Sequence, residues 1–345
     1  MDPNPVISTP LFVKKNPNVR LIHAQEALIG LGFITKFGLE MIDKFTVKQF
    51  FVDSTYKTNS DKMEVFIVLR TVLGTGFPLA YYFLSGAKEL QDKQRKDSIL
   101  DFFRALKRSV PQVQPLFFFS DKDSGQIDAI ENVYGIKVSL CLWHMKRSIK
   151  KKYGSLREDC MPLLSDDHEK ALLQIIDRQY HTHPVLSDLN WTQQELREFS
   201  LGELRQFVSH EKYSLLLNYL LENWYSDYWY WRWGRRHSTL IYFSKTTMFA
   251  GGHWSMLKRG VLQNCKCPRV YLVVYLISNV VLEKIKKDFI NLLSGNEKPH
   301  WASAYRAAWK SRNLRRYRHS TEQTKLSGDA VVLHSHGRLI SFSIT

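Results

Sequence analysis

The chain has 345 residues, enough for roughly two domains of about 150 residues each, with 44% hydrophobic and 24% charged residues and only 17 Gly and 11 Pro. Collagen-like, low-complexity and wholly disordered classes are excluded, which leaves a globular protein with a sizeable core. Lys and Arg number 49 against 33 Asp and Glu, a formal charge of +16, so a polyanion is the expected partner, nucleic acid ahead of an anionic membrane surface.

Met1 to Pro10 holds three prolines and no charged-then-apolar pattern, so no secretion signal is read there. Val47 to Asp53 is β-branched and aromatic and predicts a strand ending at Asp53, before the polar cluster Ser54 to Asn59. Glu64 to Leu73 is a second strand, Gly74 to Pro78 a hairpin turn, and Leu79 to Leu84 a third strand returning antiparallel. Lys93 to Ser109 carries Ile99, Phe102, Phe103 and Leu106 at helical spacing and stops at Val110-Pro111. Pro115 to Phe119 is an apolar strand running into Asp121, Gln126 to Tyr134 a helix, and Ile136 to Leu142 a short strand entering a basic helix. The order βββαβαβα predicts an α/β layer with a mixed sheet and flanking helices.

From Ser155 to about Gly234 helical periods replace strands, which predicts an all-helical insertion over 155–235. Thr246 to Leu262 and Arg269 to Leu293 return as helices, Pro299 to Arg318 is a basic amphipathic helix, and Thr321 to Thr345 carries little signal. The division expected is an N-terminal segment 1–46, a core split into 47–154 and 236–298 by the insertion, and a basic helix with a divergent tail over 299–345. The longest apolar run, Val270 to Leu282, is shorter than a membrane span and is broken by Ser278 and Asn279, so no transmembrane helix is expected. Four cysteines, Cys141, Cys160, Cys265 and Cys267, are too few and too unevenly spaced for a disulfide framework and fit a reducing compartment.

Asp53 and Asp121 both follow strands. Carboxylates at neighbouring strand ends can hold two Mg²⁺ ions about 3.5 to 4 Å apart for phosphoryl transfer; the structural alternative is a turn or helix cap. Cys141-x-x-His144 puts two potential ligands on one face of a helical turn. Four-coordinate zinc needs two more, with none at finger spacing, so a buried, hydrogen-bonded Cys/His pair is the alternative to a zinc site. Trp224 to Arg236 interleaves aromatics with arginine, which suits either stacking on exposed bases or a helix core that leaves Arg235 and Arg236 for phosphates. Lys146, Arg147, Lys150, Lys151 and Lys152 form a basic run that is either a solvated face or a track for a DNA backbone. Arg306, Lys310, Arg312, Arg315, Arg316 and Arg318 make the C-terminal helix basic in the same way, with nuclear import as its other reading.

Taken in order, Phe51-Val-Asp-Ser-Thr-Tyr-Lys-Thr-Asn59, Gly74-Thr-Gly-Phe-Pro-Leu-Ala-Tyr81, Phe119-Ser-Asp-Lys-Asp123, Cys141-Leu-Trp-His144, Lys245-Thr-Thr-Met248 and His253-Trp-Ser-Met-Leu-Lys-Arg259 resemble the Mutator-like element (MULE) transposase domain of the DDE superfamily. The resemblance implies an RNase H-like fold, a DDE carboxylate triad interrupted by a helical insertion before the third acid, Mg²⁺ or Mn²⁺ as cofactor, and DNA as partner. It also implies multimers on paired ends and a nuclear location. Asp53 matches the first acid and Asp121 the second, with Asp123 a near neighbour, and both are the metal ligands expected. Relatives read Thr-Thr-Met-x-x-Glu-x-His-Trp where this chain has Gly251 at the Glu position, and no acid lies between Asp227 and Glu283 to replace it. His253, about 200° around a helix from Gly251, is expected to pack or to touch phosphate. The DNA-contact residues expected are Lys57, Lys146, Arg147, Arg235, Arg236, His253, Lys258 and Arg259. The function expected is that of a MULE-type transposase-derived protein, DNA-binding and impaired in DNA cleavage by Gly251. The alternative is a domesticated DNA-binding or transcription-regulating protein without nuclease activity.

Overall fold

Strands buried on both faces read as nearly continuous apolar runs, and the sequence between 49 and 84 is of that kind. A computed structural model of the chain describes residues 5–25, 30–45, 48–72, 75–85, 91–159, 165–183, 191–208, 213–234, 247–297, 302, 306–307, 330–335 and 338–343. They fall into two compact units, Met1–Ser294 and Gly295–Thr345.

In the first unit, β1 (Val19–Ala24), β2 (Gly30–Thr35), β3 (Gln49–Thr55), β4 (Glu64–Val72), β5 (Thr75–Leu84), β6 (Phe117–Ser120) and β7 (Ser139–Leu140) form one mixed sheet in the order β1-β2-β5-β4-β3-β6-β7. β3, β4 and β5 are an antiparallel meander, β2 and then β1 extend it antiparallel from β5, and β6 and β7 run parallel to β3 on the other side. Each parallel return needs a crossover, supplied by α3 (Asp92–Ser109) between β5 and β6 and by α4 (Ser124–Tyr134) between β6 and β7.

Side chains alternate faces along a strand, and β3 shows where that leads. Phe50 faces Leu106 and Val110 at the end of α3, whereas Phe51 meets Phe249 of α10 (Met248–Ser255) on the opposite face, the face that also carries Asp53. The sheet is therefore covered by α3 on one side and α10 on the other.

The strand–helix order expected from 47 to 154 is observed, with shifted ends. β5 begins at Thr75 and passes through Pro78, which the sequence assigns to a turn. The proline is tolerated because the β4–β5 ladder slips there, between Val68 and Leu69, as prolines inside sheets require. Its carbonyl accepts a 2.7 Å hydrogen bond from Thr35 Oγ1. The N-terminal segment is a larger departure: 1–46 supplies two strands and two helices, α1 (Pro5–Lys15) and α2 (Lys36–Lys44). Asn16 and Asn18 fasten it by hydrogen bonds to Ser278 and Asn279.

The helical run after β7 comprises α5 (Leu142–Asp159), α6 (Asp166–His181), α7 (Gln193–Phe207), α8 (Ser214–Leu220) and α9 (Asp227–Trp233), with no strand among the described residues there. α8 widens into a π turn at Leu221–Tyr225 and α10 into another at Met256–Val261. α11 (Val270–Leu276) widens at Ile277–Val281 before α12 (Leu282–Leu293). That third widening contains Ser278, whose hydroxyl donates back to Val274 O at 2.6 Å, a competitor that bends helices. No described helix is long and apolar enough to cross a membrane.

In the second unit, β8 (Ala330–Ser335) and β9 (Arg338–Ser343) pair antiparallel, within a tail read as carrying little signal. The basic helix expected over 299–318 lies outside the described residues except at 302, 306 and 307.

Beside the sheet, one arginine joins three elements. Arg95 of α3 forks onto both carboxylate oxygens of Glu64 at 3.0 Å and onto Asp123 at 2.7 and 3.3 Å. Glu64 is 1% exposed, so removing the guanidinium leaves a buried carboxylate without its counter-charge. Arg95→Met is expected to cost about 3 kcal/mol of stability, read as a lower urea midpoint with an unchanged slope.

Candidate metal and nucleic-acid site

The register of two parallel strands builds the site. Phe51 of β3 lies opposite Phe119 of β6, so two residues further along both strands Asp53 and Asp121 come side by side on the same face. β7 then pairs with β6 through Ser120 and Leu140, and Cys141 N donates to Ser120 O at 2.9 Å, which starts α5 at the sheet edge. His144, in the first turn of α5, completes a cluster in which one ligand atom each from Asp53, Asp121 and His144 lie within 4.8 Å of one another.

The two acids resist ionisation. Burial pushes the Asp53 carboxyl up to about 6, helped by the neighbouring charge of Asp121; His144 and a 3.1 Å hydrogen bond from Trp254 Nε1 oppose the shift. Asp121 is raised by burial as well, and its Oδ1 is buried without a hydrogen-bond partner. A buried acceptor left unsatisfied is costly, and a divalent cation would satisfy it. Burial alone would lower the His144 imidazole, but its hydrogen bond to Cys141 and the charges of Cys141, Asp53 and Asp121 raise it. Two carboxylate oxygens and one imidazole nitrogen are a donor set that divalent metals accept.

Asp123 has a different task. Its carboxylate caps α4 by accepting from Gln126 N at 3.0 Å and is held by Arg95, so of the two neighbouring acids only Asp121 faces the cluster. Cys141 also turns away from metal binding: its sulfur accepts from Thr247 N and Oγ1 at 3.2 and 3.3 Å. Burial would raise this thiol, but His144 and the Thr247 donors outweigh it and hold it below its usual value. The Cys141–His144 motif is thus a hydrogen-bonded pair whose histidine joins the acids. Among the described residues no second cysteine or histidine joins it, and Cys160 lies outside them.

α10 covers the cluster. Its Phe249 packs so closely on β5 that a Cβ on Gly76 would come within 2.5 Å of it, which explains the glycine in the Gly74–Pro78 motif. Thr247 Oγ1 lies 3.5 Å from His144 Nδ1, and Trp254 bonds Asp53. Gly251 is four residues after Thr247 and three before Trp254, on the same helix face as both. A Cβ added there would meet nothing within 4 Å. Position 251 is therefore an open place bordered by the two residues that touch the cluster.

The predicted phosphate contacts divide. Lys57 is exposed, with a left-handed φ of 61°, and Lys258 donates to Thr55 Oγ1 at 2.5 Å; both stand on the Asp53 side, and Arg259 is exposed next along α10's π turn. Arg147 is exposed, its guanidinium 5.2 Å from the ring of the half-exposed Trp143. Lys146 is instead paired with Asp177 at 2.6 Å. His253 corrects its DNA-contact assignment: it is 6% exposed, bonds Tyr81 OH at 3.0 Å, and burial lowers it to about 3, so packing is its role. Arg235 and Arg236 lie outside the described residues. Trp224, Tyr225, Tyr230 and Trp233 are buried, so these aromatics are core, and Arg232 beside them is paired with Glu131.

Residues 49–148 match the family model of the MULE transposase domain, a span that contains Asp53, Asp121, Cys141 and His144. No curated protein matches the chain. The Thr247–Trp254 helix face lies beyond the matched MULE span and is brought to it by the fold. Two features of this site escape a reading by spacing alone, the His144 imidazole among the acids and the Trp254 donor to Asp53. The signal for Trp254 is its place three residues after Gly251, on the face that Thr247 begins.

The raised Asp53 carboxyl fixes the sign of a pH dependence. Below its unfolded value near 3.8 the folded state incurs no penalty, and the advantage is lost as pH rises through about 6. Without divalent cation, Asp53→Asn is therefore expected to stabilise the protein at pH 8, by up to about 3 kcal/mol. That gain should shrink towards zero near pH 4, as thermal unfolding at the two pH values will read.

Proposed function

We propose that the chain is a transposase-derived DNA-binding protein on an RNase H-like core, whose Asp53–Asp121–His144 cluster holds Mg²⁺ or Mn²⁺ and whose strand cleavage is impaired by glycine at 251. The observation that carries this is the pair of acids at the adjoining ends of parallel β3 and β6, inside the span matched by the transposase domain, with the third position open. The RNase H-like reading rests on the five strands β5-β4-β3-β6-β7, an antiparallel meander followed by two parallel strands with helical crossovers. On this reading 155–235 is an insertion in that core, and the basic segment 299–318 addresses the protein to the nucleus.

A divalent ion bound by the acids supplies charge to phosphoryl oxygens. Lys57, Lys258 and Arg259 meet the flanking phosphates, and the +16 charge brings DNA to the surface. Trp254 fixes one Asp53 oxygen. Two carboxylates and a neutral imidazole give one negative charge less than three carboxylates, so a second cation is held weakly and the developing charge on the phosphate is under-stabilised. The domesticated, non-cleaving alternative is favoured by the same vacancy, since no acid lies between Asp227 and Glu283.

Plasmid nicking with Mg²⁺ and with Mn²⁺ tests the reading. Gly251→Glu is expected to nick at least about 100-fold faster than the wild-type chain, and Asp53→Ala in that background to abolish the gain. Wild-type nicking that Asp53→Ala removes would overturn the impairment; a folded Gly251→Glu protein with no gain would overturn the catalytic ancestry of the site.

A further inference from the structure

Left-handed backbone is rare for residues that carry a side chain, and it persists only where the surroundings over-determine it. Three non-glycine residues among those described adopt it: Lys57 at φ 61°, Lys62 at φ 54° and Cys267 at φ 48°. The first two lie in the β3–β4 loop, and the third in the turn between α10's π turn and α11. Those two segments are bonded to each other. Ser60 N donates to Pro268 O at 2.8 Å, and Asp61 Oδ2 accepts from Val270 N at 2.8 Å. The strain is therefore gathered in one place, and that place begins at the end of the strand that carries Asp53.

The strained loop is braced from within and from its root. Buried Asn59 closes it on itself: its Oδ1 accepts from Met63 N at 2.9 Å and its Nδ2 donates to Met63 O at 3.0 Å. Thr55, on the same face of β3 as Asp53, accepts from Lys258 and so ties the π turn to the start of the loop. What this frame presents to solvent is basic, with Lys57, Lys62, Arg259 and Lys266 all exposed. The one acid in 56–63 and 256–269 is Asp61, which is committed to Val270 N. Among the described residues no acid pairs with those four, whereas Lys146, Arg178 and Arg197 in the helical run are each paired. Burial lowers the Lys258 ammonium, Asp53 opposes that shift and Lys57 adds to it, so the positive groups already act on one another. A loop that needed only stability would carry glycine at 57 and 62, where left-handed backbone costs glycine nothing.

We propose that the β3–β4 loop and the 262–269 turn form one prebuilt surface that holds the phosphate backbone of duplex DNA leading away from the Asp53–Asp121–His144 cluster. The proposal rests on the DNA-binding reading above, adds Lys62 and Lys266 to its contacts, and names the part of the DNA that they meet. A surface braced before binding loses little conformational freedom when it binds. Contacts to phosphate position a duplex without reading its sequence. The surface thus accepts any duplex and sets its place relative to Asp53, at the root of the loop. It needs no divalent ion, because ammonium and guanidinium groups meet phosphate directly.

The test is fluorescence anisotropy of the full chain in EDTA, over a series of salt concentrations, with two duplexes of unrelated sequence. Lys62→Gly combined with Lys266→Ala removes two contacts, and glycine suits the left-handed backbone at 62, so circular dichroism is expected to report an unchanged fold. The plot of log affinity against log salt is expected to become shallower by about 1.8 for both duplexes, and by about 0.9 for either substitution alone. Lys284→Ala combined with Lys287→Ala, at exposed positions of α12, removes the same charge and is expected to leave the slope unchanged. An unchanged slope in the first pair, an equal fall in both pairs, or a fall with only one duplex overturns the proposal and leaves the DNA-binding reading standing. A wild-type chain that binds neither duplex overturns both.

Discussion

The parallel register of β3 and β6 forces two carboxylates together in a place that water scarcely reaches. Like charges at short range in a buried site cannot both ionise cheaply, and the remaining structure around the site answers that difficulty. Trp254 gives Asp53 one hydrogen bond, His144 gives both acids a polarisable partner, and Arg95 removes Glu64 and Asp123 from the same neighbourhood by binding them itself. Even so, Asp121 keeps one oxygen without a partner. A fold that only needed stability would do better with apolar residues there. The arrangement is a stored demand for positive charge.

α10 carries glycine at the position where the resembled family has an acid. Phe249, His253 and Trp254 pin it to β5, Tyr81 and Asp53, so the helix keeps its position over the cluster with glycine at 251. Gly251 and Gly252 in succession weaken the helix, by about 1 kcal/mol each relative to alanine, and that cost is covered by the packing of its other face. The scaffold and the missing acid are separable for this reason: the groups that hold the helix are not the group that would complete the triad.

The meander and the two crossovers were legible because their signals are local, an apolar run or a helical period of sufficient length between breakers. So were Asp53 and Asp121, each at the end of such a run. What the sequence obscured depends on contacts distant along the chain. β2 has all six residues buried, yet it is short and glycine-bearing, and only its pairing with β5 marks it as a strand. Pro78 reads as a turn because the slip that accommodates it, beside Leu79 of its own strand, shows only in the pairing with β4. His253 reads as packing or as a phosphate contact, and its bond to Tyr81, 172 residues away, decides for packing. The Cys141-x-x-His144 spacing fits zinc, but the two bond each other, with Thr247 donating to the sulfur and the two acids beside the imidazole.

The net charge and the acidic cluster pull in opposite directions, and their order of action follows from range. The excess of Lys and Arg acts across a Debye length, about 8 Å at physiological ionic strength, and draws a polyanion to the surface as a whole. The acids act only on what touches them, and an ionised pair repels a phosphate. On the proposed reading a phosphate rests on Asp53 and Asp121 only after a cation has reversed their sign, whereas Lys57, Arg147 and Arg259, which are exposed, would meet the backbone without one. Binding and placement are therefore distinct steps with distinct chemistry. The first needs only the basic surface; the second needs the cation. On the reading proposed above, glycine in place of an acid at 251 lowers the repulsion at the second step while it weakens the hold on the ion, so the residue proposed to impair cleavage also eases the approach of DNA to the site.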